Sequence, residues 1–326
     1  MKIVNLGLIG LGQMGKIHLR NCLHLRNARL LAVSDVSKKL LLTAKKAGVK
    51  HAFKDYNDLL KDPSINAVII SLPTFLHAEA AIEAAEHGKH MLVEKPLSRN
   101  TIEARRILSA VKRNGVKLMV GYPLRFSPSF TNLKNELKSG ALGDVQIAIG
   151  DYISTGPFFP RDEKSIPKPV PKPVPSWWFD KKLTGGGALI DLGCHMINLL
   201  KWYFGEVDSI QSHLGHRFNM NFENHAACAL KFKNGTLATL NVGWFAKYQK
   251  VKVDLYGTAD HASATLRSPS LLDYAKKIFT IDTSSRFYKE LEYFVGCISS
   301  DITPYPSGEE GLEDLRIIST AYKNTF

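Results

Sequence analysis

The sequence predicts an α/β protein of two domains, the first of them a doubly wound parallel sheet. Its 326 residues exceed the usual size of one domain, so two domains sharing an interface are expected. Over roughly the first 120 residues, short apolar runs alternate with longer segments of helical period. Strands in that rhythm pair in parallel through right-handed helical crossovers. After residue 121 strand-like runs follow one another, and Asn234-Gly235 between two of them is a strong hairpin signal.

Taken in order, IVNLGLIG, RLLAVSD, NAVIISLP, HMLVEK and VKLMVGY read as strands of the first sheet. GKIHLRNCLHL, KKLLLTAKKAG, HAEAAIEAAEHG and TIEARRILSAVKRNG space their apolar residues as helices do. In the second part DVQIAIGDYIS, VDSIQSHLGH, HAACALKF, TLATLNVGWF and KVKVDLYG read as strands. RFYKELEYFVGCI and GLEDLRIISTAY near the end have helical period and are expected to cover the core.

Bulk properties narrow the function classes. An apolar fraction of 44% supports real cores. The four cysteines, Cys22, Cys194, Cys228 and Cys297, form no C-x-x-C pair, so neither a zinc site nor a disulfide framework is indicated and reduced, buried thiols are expected. The formal charge is +13, yet Lys and Arg are spread among acids, with no basic helix, zinc-finger spacing or RNA-binding aromatic motif. No nucleic-acid partner is expected; the charge suits attraction of anionic substrates or cofactors. No run approaches the roughly eighteen consecutive apolar residues of a membrane span, and MKIVNLGLIG reads as a strand rather than a signal peptide, so a soluble cytoplasmic protein is expected.

Ligands of doubly wound sheets bind at the carboxyl ends of the strands, and the motifs fall there. Gly10-Leu11-Gly12-Gln13-Met14-Gly15 follows a strand and opens a helix. Gly10 permits a tight turn, Gly12 lets the backbone approach a pyrophosphate, and Gly15 allows close helix packing. Asp35, twenty residues beyond Gly15, ends the next strand, where a carboxylate accepts bonds from ribose hydroxyls. Its charge disfavours a 2′-phosphate, so NAD is expected before NADP, while Lys38 and Lys39 just beyond keep NADP open. Ser71-Leu72-Pro73-Thr74 ends another strand and His77 begins the next helix; a proline turn with Thr74 as cap explains this equally well. Glu94-Lys95-Pro96 ends a fourth strand, where Lys95 is either a surface lysine or a donor to a substrate oxygen. In GGGALIDLGCHMINLL, residues 185–200, helical spacing puts Asp191, His195 and Asn198 in one polar row. A satisfied core histidine, a metal-ligand pair and a catalytic pair all fit that row.

The glycine turn, S-L-P-T-F-L-H, E-K-P-L, Y-P-L-R-F-S-P at 122–128 and G-G-G-x-x-x-D-x-x-x-H at 185–195 occur in an order that resembles the glucose-fructose oxidoreductase and inositol dehydrogenase family (Gfo/Idh/MocA) over nearly the whole chain. The resemblance implies a Rossmann domain at 1–121 and a substrate-binding and oligomerisation domain at 122–326 with a large open, mostly antiparallel sheet, forming a homodimer or homotetramer through that sheet. It implies cofactor contacts from Gly10, Gly12, Gln13, Met14, Gly15, Asp35, Ser71, Leu72, Pro73, Thr74, His77, Glu94 and Lys95. It also implies a commonly cis Lys95-Pro96 bond and a Lys95 that touches both nicotinamide and substrate. Asp191 and His195 would face the substrate, with Tyr122, Arg125 and Trp178 beside them and Phe245 and Tyr248 near the ring hydroxyls. No metal is expected, since a third ligand of suitable spacing is missing.

The activity so implied is hydride transfer between NAD and a secondary alcohol of a sugar, cyclitol or derivative. His195 acts as general base, Lys95 polarises the oxygen and Asp191 fixes Lys95 or a neighbouring hydroxyl. Two rivals are an NAD-dependent glycoside hydrolase working by transient oxidation and a catalytically silent nucleotide-binding regulator. Two features depart from the family pattern: Asn198 stands where many members carry an acid, and IPKPVPKPVPSWWFDKK is unusually rich in proline.

Overall fold

A computed structural model of the chain describes residues 3–159, 170–171, 175–217, 220–246, 249–267, 283 and 285–325. It divides into two compact units, Met1–Phe126 with Lys276–Leu312, and Ser127–Ala275 with Glu313–Phe326.

The first unit is built on β1 (Val4–Ile9), β2 (Ala28–Ser34), β3 (His51–Phe53), β4 (Ala67–Ile70), β5 (His90–Glu94) and β6 (Leu118–Gly121), in the order β3-β2-β1-β4-β5-β6. Every pair is parallel. The crossovers carry α1 (Gln13–Cys22), α2 (Lys38–Lys46), α3 (Tyr56–Leu60), α4 (Thr74–Glu86) and α5 (Thr101–Asn114). Strand β4 is buried throughout, which is why AVII runs apolar without alternation. The order reverses between β1 and β4, and the carboxyl edge there is the usual ligand crevice of such sheets. Strand β3 and helix α3, at three and five residues, are too short to show a period and were not expected.

One expectation is corrected here. A second domain running from 122 to 326 is not what forms, because the described residues from 285 to 312 belong to the first unit. The helix Arg286–Ser299 buries Tyr288, Leu291, Phe294 and Val295 in the same core as Leu6, Leu8, Leu92 and Met119. Periodicity gives a helix an apolar face but does not say which core receives it.

The second unit holds β7 (Val145–Ser154), β10 (Val207–Gly215), β11 (His225–Phe232), β12 (Leu237–Trp244), β13 (Lys250–Gly257) and β14 (His261–Arg267), in the order β10-β11-β12-β7-β13-β14. All pairs are antiparallel except β12 with β7. Between them in sequence, β8 (Phe158–Phe159) and β9 (Val170–Pro171) pair separately. The expected hairpin joins β11 to β12, with Gly235 at φ 95° and the Phe232 amide donating to the Thr236 carbonyl at 2.9 Å. Strand β14 was not expected, because alternating Ala and Ser give little hydrophobic contrast.

The run from 185 to 204 lies on the buried face of this sheet. A Cβ at Gly150 of β7 would stand 2.9 Å from the Met196 side chain, so glycine makes the close approach possible there. By length and mean composition alone the stretch Lys181–Phe204 would pass as a membrane span, but Asp191, His195, Asn198 and Lys201 interrupt its apolar run and 83% of its most apolar window is buried in the protein, as in a core helix.

Candidate active site

The glycine turn has a distinct local physics. Gly10 sits at φ 89°, and a Cβ there would lie 2.6 Å from the Ser71 carbonyl oxygen. A Cβ on Gly15 would lie 2.0 Å from the Gly10 carbonyl oxygen, whereas at Gly12 it would meet only open space. Helix α1 starts with no side-chain cap and no acidic residue in its first turn; α2 and α5 are capped by Ser37 and Asn100. The first-turn amides of α1 therefore suit an anion approaching past Gly12, and the turn fits a dinucleotide pyrophosphate. Asp35 is fixed beside it, accepting from the Leu11 amide at 2.7 Å and the Ser37 amide at 2.8 Å. Gln13 is exposed and Met14 half-buried at the mouth of this turn.

Along the same sheet edge, the Ser71 hydroxyl donates to the Gly10 carbonyl at 2.8 Å, joining the ends of β1 and β4. The cap of α4 is Pro73 rather than Thr74, which is the first helical residue. His77, expected at the cofactor, is buried: its Nε2 lies 2.8 Å from the Leu72 carbonyl oxygen and its Nδ1 2.9 Å from that of Pro96. Burial pushes its pKa down, so the neutral ring donates to one carbonyl at a time while spanning both loops. Lys95 is half-buried and the Lys95-Pro96 bond is cis.

Glu94 also points inward, accepting from His18 Nε2 at 2.7 Å and from the Lys95 amide at 3.2 Å. Burial acts to raise its pKa, but the His18 bond and charge, helped by Lys95, hold the carboxyl below its ordinary value. Glu290, fully buried on the helix Arg286–Ser299, is pushed the other way, well above its ordinary value, by burial and by Glu94; Arg286 and the Tyr122 amide oppose this. Their surroundings thus push these two carboxyls in opposite directions at the strand end that carries Lys95. Tyr122, expected at the substrate, is 2% exposed, and Arg125 is held by Glu310 with Nη2 and Oε2 2.6 Å apart. Arg125 and Glu310 belong to the same unit.

In the second unit, residues Leu189–Gly193 form a π turn that leads into the α-helix Cys194–Phe204. Asp191 lies in the π turn, a local irregularity frequent at functional sites. Trp244 Nε1 donates to Asp191 Oδ2 at 3.3 Å, and the His195 ring, 7% exposed, packs on Tyr152 with centroids 5.6 Å apart. Trp178 stacks on Trp177 and meets Trp244 edge-on at 6.2 Å, next to the ring that holds Asp191. Asn198 does not join that side: it is fully buried and donates to Asp314 Oδ2 at 2.8 Å, while Lys201 holds the other oxygen at 2.9 Å. An acid at 198 would face Asp314 directly, so the amide is the residue this core accepts.

Tyr152 and Trp244 were missed; the only sequence signal was that a strand-end tryptophan needs a partner for its N–H. Phe245 is exposed, whereas Tyr248 and most of the proline-rich 166–175 segment lie outside the described residues. Among the described residues no group of three or more His, Cys, Asp or Glu has a metal-binding arrangement.

Residues 4–122 match the family described as "Oxidoreductase family, NAD-binding Rossmann fold" and residues 130–263 match the "GFO/IDH/MocA C-terminal domain". The chain is 27% identical to "Uncharacterized oxidoreductase YrbE" of Bacillus subtilis, covering 98% of this chain and 93% of that one. It is 27% identical to "Myo-inositol 2-dehydrogenase" of Thermotoga maritima, covering 94% and 92%. Among solved structures, a levoglucosan dehydrogenase in complex with NADH and levoglucosan superposes with a TM-score of 0.84 at 22% identity, over 99% of this chain and 97% of that one. With both halves of the fold matched in order, the chain belongs to the Gfo/Idh/MocA family of NAD-binding oxidoreductases.

Proposed function

We propose that the protein is an NAD-dependent dehydrogenase acting on a secondary alcohol of a sugar, cyclitol or sugar derivative. The observation that carries the reading is the Asp191–His195 element, a half-buried acid and a buried imidazole each held by an aromatic partner, in a chain whose α1 leaves its first turn uncapped for a phosphate. Relatives named for myo-inositol, scyllo-inositol and levoglucosan support the substrate class. His195 accepts the hydroxyl proton, Lys95 orients and polarises the same oxygen, and Asp191, one oxygen fixed by Trp244, receives a neighbouring hydroxyl. When bound, the nicotinamide supplies the hydride acceptor. The test is a panel of polyols, aldoses, uronates and nucleotide sugars with NAD and NADP, reading the reduced cofactor. Sugar release without net NADH, or no turnover across the panel, would overturn the reading.

Because Asp35 places a fixed carboxylate at the end of β2, NADH is expected to bind more tightly than NADPH. Asp35→Ser loses the Leu11 anchor as well as the charge and weakens both, while Asp35→Asn keeps an acceptor and narrows the gap. Titration of both cofactors measures it; tighter NADPH binding by the unaltered protein would point instead to Lys38 and Lys39.

The outer face of the second sheet supports self-association. Leu237, Ile147 and Tyr256 are register partners across β12, β7 and β13 and are 53%, 48% and 44% exposed. The face is not wholly apolar, since Asp151, Asn241, Lys252 and Asp254 also lie on it. Light scattering is expected to report a dimer or tetramer, and Leu237→Asp to weaken it; a monomer at micromolar concentration contradicts the proposal.

A further inference from the structure

Of the three glycines before the Asp191–His195 element, Gly185 ends the short helix Lys181–Thr184 at φ 85°, and Gly186 and Gly187 are explained by what presses on them. A Cβ at Gly187 would stand 1.8 Å from the Glu223 carbonyl oxygen, and one at Gly186 would stand 2.1 Å from the Tyr322 hydroxyl. Glu223 is 1% exposed, and its Oε1 accepts from the Gly187 amide at 2.9 Å, the Leu189 amide at 3.0 Å and the Tyr322 hydroxyl at 2.7 Å. Its backbone carbonyl takes the amide between them, that of Ala188, at 3.2 Å. Burial and the adjacent Glu223 hold the Tyr322 phenol well above its ordinary pKa, so the hydroxyl stays a donor. One residue from a distant loop thus satisfies three successive amides at the point where the π turn begins. Three of these bonds converge on a single side-chain oxygen.

We propose that Glu223 is a positioning residue for the reaction. Its buried carboxylate anchors the first turn of the run and so sets where Asp191, two residues past Leu189, and His195, one turn further, stand. The inference rests on the dehydrogenase reading above, but part of its test does not. Misplacing a reacting group by about 1 Å costs on the order of a hundredfold in rate, so loss of the anchor should appear in kcat.

Three variants separate geometry from charge and from simple instability. Glu223→Ala removes the acceptor, Glu223→Asp withdraws it by one methylene, and Glu223→Gln keeps an oxygen in place without the charge. Glu223→Ala is expected to lower kcat about tenfold to a hundredfold with NADH affinity unchanged, Glu223→Asp to fall between, and Glu223→Gln to stay within about threefold of the unaltered enzyme. Amide exchange at 187–189 should speed up in the Ala and Asp variants and remain slow in Gln. Should Glu223→Ala not fold, Glu223→Asp against Glu223→Gln carries the comparison. A folded Glu223→Ala or Glu223→Asp with unchanged kcat, or a Glu223→Gln as impaired as the other variants, overturns the proposal. If the unaltered protein turns over nothing in the panel, the functional reading has failed by itself. The NMR signals of the His195 imidazole and Trp244 indole then decide the positioning claim, and an Asp variant that leaves both unmoved refutes it.

Discussion

His195→Ala is expected to lower turnover of a confirmed polyol substrate by about a hundredfold to ten-thousandfold, the usual cost of losing a general base. NADH binding should hardly change, because the dinucleotide turn and Asp35 lie in the other compact unit and use none of the His195 contacts. His195→Asn keeps a hydrogen-bonding side chain against Tyr152 without a base, so it should recover substrate binding but not rate. Lys95→Ala should also lose turnover with NADH affinity preserved, as it removes the group proposed to polarise the oxygen. Steady-state rates as a function of pH, with NADH titration alongside, make the comparison. A His195→Ala enzyme at full rate with an unchanged pH profile would move the base to Lys95.

Replacing Gly15 by Ala is expected to damage both the fold of the first unit and its cofactor affinity. The new Cβ falls 2.0 Å from the Gly10 carbonyl oxygen and 2.8 Å from its carbon, and these are backbone atoms of the turn itself. They cannot swing aside as a side chain could, so α1 must move off β1. Overpacking of this kind costs about 1–3 kcal/mol, and each loss of about 1.4 kcal/mol in binding is tenfold in affinity. Gly12→Ala is the control. Its Cβ meets only open space and its φ of -64° suits any residue, so Tm should be unchanged, yet the methyl stands where the pyrophosphate approaches. Thermal unfolding and NADH titration of both variants read the difference. Full NADH affinity in Gly12→Ala would mean that the dinucleotide does not lie on this turn.

By itself the sequence determined the features that depend on near neighbours along the chain. Strand and helix periods gave the parallel sheet, the hairpin at Asn234-Gly235 and the placement of Gly10–Gly15, Asp35, Ser71–Thr74 and Lys95 at strand ends, because side-chain direction repeats every two or 3.6 residues. Tertiary structure decided which distant group each polar side chain met. Glu94 turned inward to His18 across 76 residues, Asp191 took the Trp244 indole across 53, and Asn198 was matched to Asp314 across 116. Arg125 was paired with Glu310 across 185, and the helix Arg286–Ser299 returned to the first core. A buried polar group must find a partner or lose about 1–3 kcal/mol, but spacing along the chain holds no record of partners brought near only when the sheets close.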